Sequence, residues 1–165
     1  DVEALARELT PLDMKVDELT TMGRVGIKSC SSHKCLDGRN PEYNEVYITS
    51  GNPYNSRLFQ WTIEEVDGNY AIKSVSSQKY LDGRNSSFAN KNGALMLTGR
   101  VPKGDSALQW KIEKVDGNFA LKSISSGLHI DGRNPDYNAN EVWLTNRAPQ
   151  GETTLQWEIF TIEDA

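Results

Sequence analysis

The sequence predicts an all-β domain with pseudo-threefold symmetry, and three observations lead to this prediction. One sequence unit occurs three times along the chain, beginning near residues 24, 69 and 118. Within each copy, short runs of alternating apolar and polar residues are separated by turn-forming clusters such as SS, DGRN and VDGN. None of the three copies contains the three-and-four spacing of apolar residues that is typical of a helix.

The tryptophans of the repeats narrow the architecture. Trp61, Trp110 and Trp157 recur at nearly constant spacing, and an isoleucine follows each of them two positions later. Three copies of four predicted strands each favour a β-trefoil over a three-bladed β-propeller, because β-propellers typically have four to eight blades. We therefore expect the tryptophans and isoleucines to form a shared core around the pseudo-threefold axis. The glycines of the VDGN and DGRN tracts are expected to adopt positive φ at turns.

The trefoil domain is predicted to span residues 24–165, with repeats at about 24–68, 69–117 and 118–165. Residues 1–23 are predicted to form a short N-terminal helical arm, with a break between two short helices near Thr10 and Pro11. The apolar stripe behind this prediction consists of Val2, Leu5, Leu9, Leu12, Val16 and Leu19. The stripe either packs on the trefoil itself, mediates a homodimer, or belongs to a linker from an upstream domain.

Composition excludes two classes of partner. The net charge of −5 and a pI near 5.1 provide no basic surface, which argues against nucleic-acid binding. No apolar run is long enough to span a bilayer, so we expect a soluble protein without membrane insertion. The chain begins at Asp1 without an initiator Met, and we therefore expect a processed or trimmed product, with an extracellular or secreted location.

The sequence gives no sign of catalytic or metal chemistry. His33 and His129 lie at predicted hairpin positions without a set of paired cysteines or clustered acids that resembles a metal site, and no nucleophile elbow, phosphate-binding glycine loop or zinc motif occurs. The oxygen-rich segment 131–141 lacks a glycine and a terminal glutamate at the spacing of a calcium loop. We therefore predict that the protein is not an enzyme and needs no cofactor. Cys30 and Cys35, at the two sides of a predicted hairpin turn, form either a disulfide or two free thiols.

A polar tract recurs at the end of the second strand of every repeat. An aspartate is followed by glycine, arginine and asparagine, and an aromatic ring comes four residues after the arginine, at Tyr43, Phe88 and Tyr137. The polar residues that recur in all three copies of this tract are Asp37, Arg39, Asn40, Asp82, Arg84, Asn85, Asp131, Arg133 and Asn134.

The third strands add outward side chains to this tract. Because side chains alternate across a strand, Tyr47, Met96 and Trp143 are predicted to face away from the core. An outward aromatic ring beside a fixed carboxylate suits a neutral sugar, since the ring stacks on the C–H face while the carboxylate accepts hydroxyl hydrogen bonds. The alternative is that the DGRN tract is a turn in which Asp and Arg satisfy backbone groups.

From about residue 24 to 162 the chain resembles the ricin-B-type β-trefoil lectins. The resemblance rests on the C/Y-L/I-D strand ends, the V-x-L third strands and the Q-W motifs. It implies that Asp37, Asp82 and Asp131 are sugar-binding carboxylates and that galactose- or N-acetylgalactosamine-type glycans are bound. The family's third-strand contact positions fall on Tyr47, Thr49, Met96, Thr98, Trp143 and Thr145.

The chain departs from the family pattern beside each core tryptophan. The family places Gln two residues before Trp, whereas Gln60, Gln109 and Gln156 here immediately precede it. Repeat two departs further, with a longer loop and Met96 in place of an aromatic ring. We therefore expect sites in repeats one and three and a weak or silent repeat two.

The function predicted from the sequence is that of a multivalent lectin, with glycans or glycoproteins as its partners. Two other functions are compatible with the same repeats. One is a protein-binding trefoil, such as a protease inhibitor or a receptor ligand, although such binding loops need no symmetry. The other is a targeting module of a larger enzyme or toxin.

Overall fold

The predicted β-trefoil is confirmed. The structure is a computed structural model that describes residues 15–39, 44–83, 95–132 and 142–162. These residues contain four strands from each repeat. The strands are β1 Arg24–Ser29, β2 Cys35–Asp37, β3 Tyr47–Thr49, β4 Trp61–Val66, β5 Asn69–Ser74, β6 Tyr80–Asp82, β7 Met96–Thr98, β8 Trp110–Val115, β9 Asn118–Ser123, β10 His129–Asp131, β11 Trp143–Thr145 and β12 Trp157–Thr161.

The longer strands close into a barrel. Each repeat contributes its first and fourth strands, and antiparallel pairing runs from β1 through β4, β5, β8, β9 and β12 back to β1. The second and third strands of each repeat pair with one another as the hairpins β2–β3, β6–β7 and β10–β11. A closed barrel leaves no exposed edge among its own strands. The three hairpins carry the predicted site aspartates at the ends of their first strands.

The three repeat tryptophans form the centre of the core, as predicted. Trp61, Trp110 and Trp157 are fully buried. Their indole Nε1 atoms donate hydrogen bonds to the carbonyl oxygens of Leu36 at 3.2 Å, Leu81 at 3.1 Å and Ile130 at 3.0 Å. Each acceptor immediately precedes a site aspartate. The core therefore fixes the backbone that presents each of these carboxylates.

The expectation of positive φ is confirmed for the VDGN glycines and is wrong for the DGRN glycines. Gly68 and Gly117 have φ of +79° and +83°. In the first DGRN tract the left-handed residue is Arg39, with φ of 55°, and Gly38 is required for a different reason. A Cβ added at Gly38 would lie 2.5 Å from Ser74 Oγ, which leaves no room for a side chain.

The glutamines that depart from the family pattern hold the loops between the third and fourth strands. All three are buried, and each amide nitrogen donates to a proline carbonyl seven residues earlier in that loop. The acceptors are Pro53 for Gln60 at 2.8 Å, Pro102 for Gln109 at 3.0 Å and Pro149 for Gln156 at 2.9 Å. We conclude that these glutamines stabilise the fold.

The arm is described only at its C-terminal end. Val16–Thr21 forms a 3-10 helix, and within it Leu19 is fully buried in the core, with Val16 packed beside it. This end of the apolar stripe therefore packs against the trefoil. The predicted stripe residues Val2, Leu5, Leu9 and Leu12 lie outside the described residues. In the described part of the chain, no helix has the length and apolar character needed to cross a membrane.

Candidate ligand-binding site

The structure describes about half of the predicted site residues. Asp37, Arg39, Tyr47, Asp82, Asp131 and Trp143 are described. The predicted positions outside the described residues are Asn40, Tyr43, Arg84, Asn85, Phe88, Arg133, Asn134 and Tyr137.

Strand register brings each aspartate together with a third-strand side chain. Asp37 lies directly opposite Tyr47, Asp82 opposite Met96, and Asp131 opposite Trp143. Directly opposed residues in an antiparallel pair project from the same face of the sheet. The neighbouring pairs, such as Leu36 with Ile48, are buried in the core, so the aspartates project from the outer face, where each of them is nevertheless largely buried by its surroundings. Tyr47 and Trp143 are half-buried there.

Met96 lies opposite Asp82 and outside the core cluster, in agreement with the predicted outward orientation, but it is not accessible. Met96 is buried, because the segment that leads into β3 of repeat one runs beside it. Glu45 forms a β-bridge with Met96, and the backbone N–H of Leu97 donates to the carbonyl of Asn44 at 2.7 Å. A chain segment from the neighbouring repeat thus covers the surface on which a ligand of repeat two would lie.

In repeat one the carboxylate is held by two hydrogen bonds. Asp37 Oδ1 accepts from the backbone N–H of Arg39 at 2.8 Å, and Oδ2 accepts from Thr49 Oγ1 at 3.3 Å. The guanidinium carbon of Arg39 lies 4.1 Å from the centroid of the Tyr47 ring, a cation–π contact. The Tyr47 hydroxyl donates to Glu45 Oε2 at 3.1 Å. Carboxylate, guanidinium and ring are therefore fixed beside one another.

Repeats two and three place an arginine on the equivalent carboxylate. Arg100 Nη2 lies 3.5 Å from Asp82 Oδ2, and Arg147 Nη2 donates to Asp131 Oδ2 at 2.7 Å. The hydrogen bond that Arg147 donates to Asp131 is the main reason that the pKa of Arg147 is raised. The corresponding residue of repeat one is Gly51, and among the described residues no cation pairs with Asp37.

Sequence reasoning missed these two arginines. A signal was present, because the third strand is followed by R-V-P in repeat two and R-A-P in repeat three, but by G-N-P in repeat one. The consequence is that the three carboxylates are not equivalent. Among the three carboxylates, only Asp37 forms no ion pair with a described arginine.

Both cysteines are free thiols. Burial raises the pKa of Cys30 and of Cys35 to about 11, so both are protonated at neutral pH. A protonated thiol is a poor nucleophile and a poor metal ligand. Among the described residues, no group of three or more His, Cys, Asp or Glu side chains is arranged to hold a metal ion.

In repeat three, His129 occupies the position equivalent to Cys35. Its surroundings lead to a prediction about how stability depends on pH. Its Nε2 atom is buried without a hydrogen bond, 3.8 Å from Glu113 Oε1. Burial lowers the pKa of His129 below its ordinary value of 6.5, against the opposing effect of Glu113; Lys122 also lowers it. Below pH 6.5, His129 of the unfolded chain therefore binds a proton more readily than His129 of the folded chain, and the folded state loses stability as the pH falls.

We expect His129→Gln to reduce the loss of melting temperature between pH 7 and pH 5. The matched control is His33→Gln, because His33 is exposed and repeat two carries Gln78 at the same left-handed turn position. Thermal unfolding of both variants measures the effect. Equal pH dependence in the two variants would show that His129 does not contribute.

Comparison with solved structures shows the same fold in proteins of different length. One similar structure is the GlcNAcα1-4Gal-releasing endo-β-galactosidase from Clostridium perfringens, at 21% identity and a TM-score of 0.70, over 86% of this chain and 33% of that chain. The chain thus spans about a third of that enzyme. Another is the designed threefold-symmetric protein ThreeFoil, at 24% identity and a TM-score of 0.68, over 84% and 98% of the two chains.

A third similar structure is the Macrolepiota procera ricin B-like lectin in complex with lactose, at 15% identity and a TM-score of 0.66, over 85% of this chain and 96% of that chain. No curated protein matches the sequence. The family model described as the ricin-type beta-trefoil lectin domain-like family matches residues 15–99 and, in a second match, residues 59–146. These matches together cover most of the sequence, and the chain therefore belongs to the ricin-type β-trefoil lectin domain-like family.

Proposed function

We propose that this protein binds galactose- or N-acetylgalactosamine-type glycans and that its principal site lies in repeat one. The observation that carries the proposal is the Asp37 carboxylate, which is fixed on the outer face of β2 beside Tyr47 and has no described cation partner. Family membership supports a carbohydrate-binding role. The lactose complex of the Macrolepiota procera lectin supports the galactose class, because lactose contains galactose.

The arrangement can bind a sugar without any reaction. Two hydrogen bonds to Asp37 leave lone pairs of the carboxylate for the hydroxyls of a pyranose, and charge-assisted hydrogen bonds of this kind are roughly twice as strong as neutral ones. The Tyr47 ring offers an apolar face on the side not covered by Arg39. The Arg39 guanidinium supplies donors beside the same hydroxyls. A single shallow site of this kind binds with an affinity near the millimolar range, roughly −4 kcal/mol.

The other repeats are proposed to be weaker sites. Asp131 of repeat three is already paired with Arg147, so a sugar there must share the carboxylate or replace the guanidinium. In repeat two, Asp82 has the equivalent ion pair and Met96 is buried as well. Binding strength should therefore decrease from repeat one to repeat three to repeat two. A second working site would raise the apparent affinity for a clustered glycan surface by about 10²-fold or more.

A glycan array tests the function and the ranking of the sites together. We expect the unmodified protein to bind selectively, Asp37→Asn to lower binding at least about tenfold, and the matched Asp131→Asn to leave most of it. Asparagine keeps the shape of the side chain and the acceptor for the Arg39 N–H, so the loss would report the charge. Circular dichroism checks that both variants are folded.

Two results of the array would contradict the proposal. If Asp131→Asn loses as much binding as Asp37→Asn, repeat one is not the principal site. If the folded, unmodified protein binds no glycan, the carbohydrate function itself fails, and the protein-binding alternative takes its place.

A further inference from the structure

A groove lies on the outer face of repeat one, and its lining includes Cys35, two residues before Asp37 on the same strand. Its floor is a row of directly opposed residues on three adjacent strands, in the order Cys35, Lys28 and Glu158. The groove encloses about 510 Å³. Beyond the floor it is lined by His33, Tyr54 and Phe160, together with residues 51–53.

The groove exists because repeat one differs from the other repeats at this row. In repeat two the position of Cys35 is taken by Tyr80, whose hydroxyl lies 3.4 Å from the carboxylate oxygens of Glu64. In repeat three it is taken by His129, beside Glu113. The short cysteine side chain leaves this volume empty in repeat one.

A second replacement lines the groove with an aromatic ring. The residue equivalent to Glu64 and Glu113 is Phe160, which lies opposite Gly26 on β1. A Cβ added at Gly26 would lie 2.4 Å from the Phe160 ring, so the ring packs directly on the glycine backbone. The Phe160 ring therefore replaces a carboxylate with an apolar wall.

Tyr54 forms the exposed side of the same wall. Its side chain is 61% exposed, and its ring centroid lies 5.8 Å from that of Phe160. The loop that carries Tyr54 is held in place, because Asn52 Oδ1 accepts the Tyr54 N–H at 2.9 Å and the carbonyl of Pro53 accepts from buried Gln60 at 2.8 Å. Together the two rings form an apolar patch bordered by polar residues, which is typical of a binding surface.

The charges of the floor favour a neutral polar ligand. Lys28 Nζ and Glu158 Oε2 are 4.0 Å apart, and both side chains are 37% exposed. They form a balanced pair of donor and acceptor beside the two rings. Hydroxyl groups can bond to both, while the rings contact C–H groups, and these are the two surfaces of a pyranose.

The groove is continuous with the proposed primary site. Thr49 Oγ1 donates to Asp37 Oδ2, and Thr49 lies directly opposite Cys35, which is on the groove floor. Asp37 and Cys35 are two residues apart on one strand and project from the same face, which separates them by roughly 6.6 Å, about one sugar ring. From Cys35 the floor extends through Lys28 to Glu158, with roughly 4.8 Å between neighbouring strands.

We propose that this groove binds the second, neutral sugar of an oligosaccharide whose terminal sugar occupies the Asp37 site. The inference rests on the proposed carbohydrate function and specifies in addition that the ligand of repeat one extends over two sugar units. Repeat one is then a two-subsite binding surface. Repeats two and three, where Tyr80 and His129 occupy the equivalent row, hold at most the terminal sugar.

Titration calorimetry with galactose and with lactose tests this inference. We expect lactose to bind the unmodified protein about five- to tenfold more tightly than galactose, because glucose would occupy the groove. Tyr54→Ala removes the exposed ring, and Cys35→Tyr places the residue of repeat two in the groove. Both variants should reduce the affinity for lactose to that for galactose and leave the affinity for galactose unchanged.

The controls separate failure of the groove from failure of the function. Lys103→Ala changes the repeat-two equivalent of Tyr54 and should alter neither affinity. Equal affinities for galactose and lactose in the unmodified protein, or an unchanged ratio in a folded Tyr54→Ala variant, would overturn the groove while the lectin function stands. If neither sugar binds the unmodified protein, the proposed galactose specificity fails and the groove inference fails with it. Since Tyr54 is largely exposed, its truncation should not affect folding, and thermal unfolding checks this.

Discussion

Replacing Trp110 with alanine is expected to lower the free energy of unfolding by about 3–5 kcal/mol, the range of large-to-small core truncations. The Trp110 side chain is fully buried, so its removal leaves a cavity. The truncation also deprives the buried carbonyl of Leu81 of the indole hydrogen bond at 3.1 Å. Since the free energy of unfolding of native proteins is about 5–15 kcal/mol, this single change would remove a large part of the stability. Urea denaturation measures it.

Trp143→Ala is the matched control, because it makes the same chemical change on the outer face. Trp143 is half-buried on β11, opposite Asp131, and does not belong to the core cluster. We expect a cost of about 1 kcal/mol, in the range of ordinary single substitutions. A loss equal to that of Trp110→Ala would show that the Trp143 side chain is a core residue and that its assignment to the outer face is wrong.

The fold could be predicted from the sequence because its evidence is local and repeated three times. The Q-W motifs, the alternating runs and the DGRN tracts each appear in every repeat, so an error in one copy could be detected in the others. The same symmetry predicted that Trp61, Trp110 and Trp157 meet in one core. Their further role, holding the carbonyls that precede the site aspartates, depends on distances that no spacing reveals.

The differences between the repeats do not follow from strand alternation, because they arise from contacts between residues that are far apart in the sequence. Met96 is buried by a segment of repeat one, although strand alternation alone places it outward. The groove in repeat one depends on Phe160, which comes from the last strand of repeat three. The pairing of Asp131 with Arg147 requires the loop after β11 to fold back over the strand end. None of these contacts joins residues that are adjacent in sequence.

Repeat two also provides the sharpest test of why glycine follows each site aspartate. A Cβ added at Gly83 would lie 2.6 Å from Ser123 Cβ and 2.8 Å from Trp110 Cη2, closer than atoms can approach. Gly83→Ala should therefore force the strand end away from the core and lower the free energy of unfolding by about 1–3 kcal/mol, as overpacking does. Thermal and urea denaturation measure the loss.

Gly99→Ala is the control for this substitution, because a Cβ there meets nothing within 4 Å and the backbone φ is not positive. That change should be neutral or slightly stabilising, since alanine reduces the entropy of the unfolded chain. If the two variants unfolded alike, the close packing of Gly83 would not matter. If they differ as expected, the same reasoning applies to Gly38, whose Cβ would meet Ser74 Oγ at 2.5 Å. The position of the Asp37 carboxylate would then depend on a glycine that is selected for its lack of a side chain.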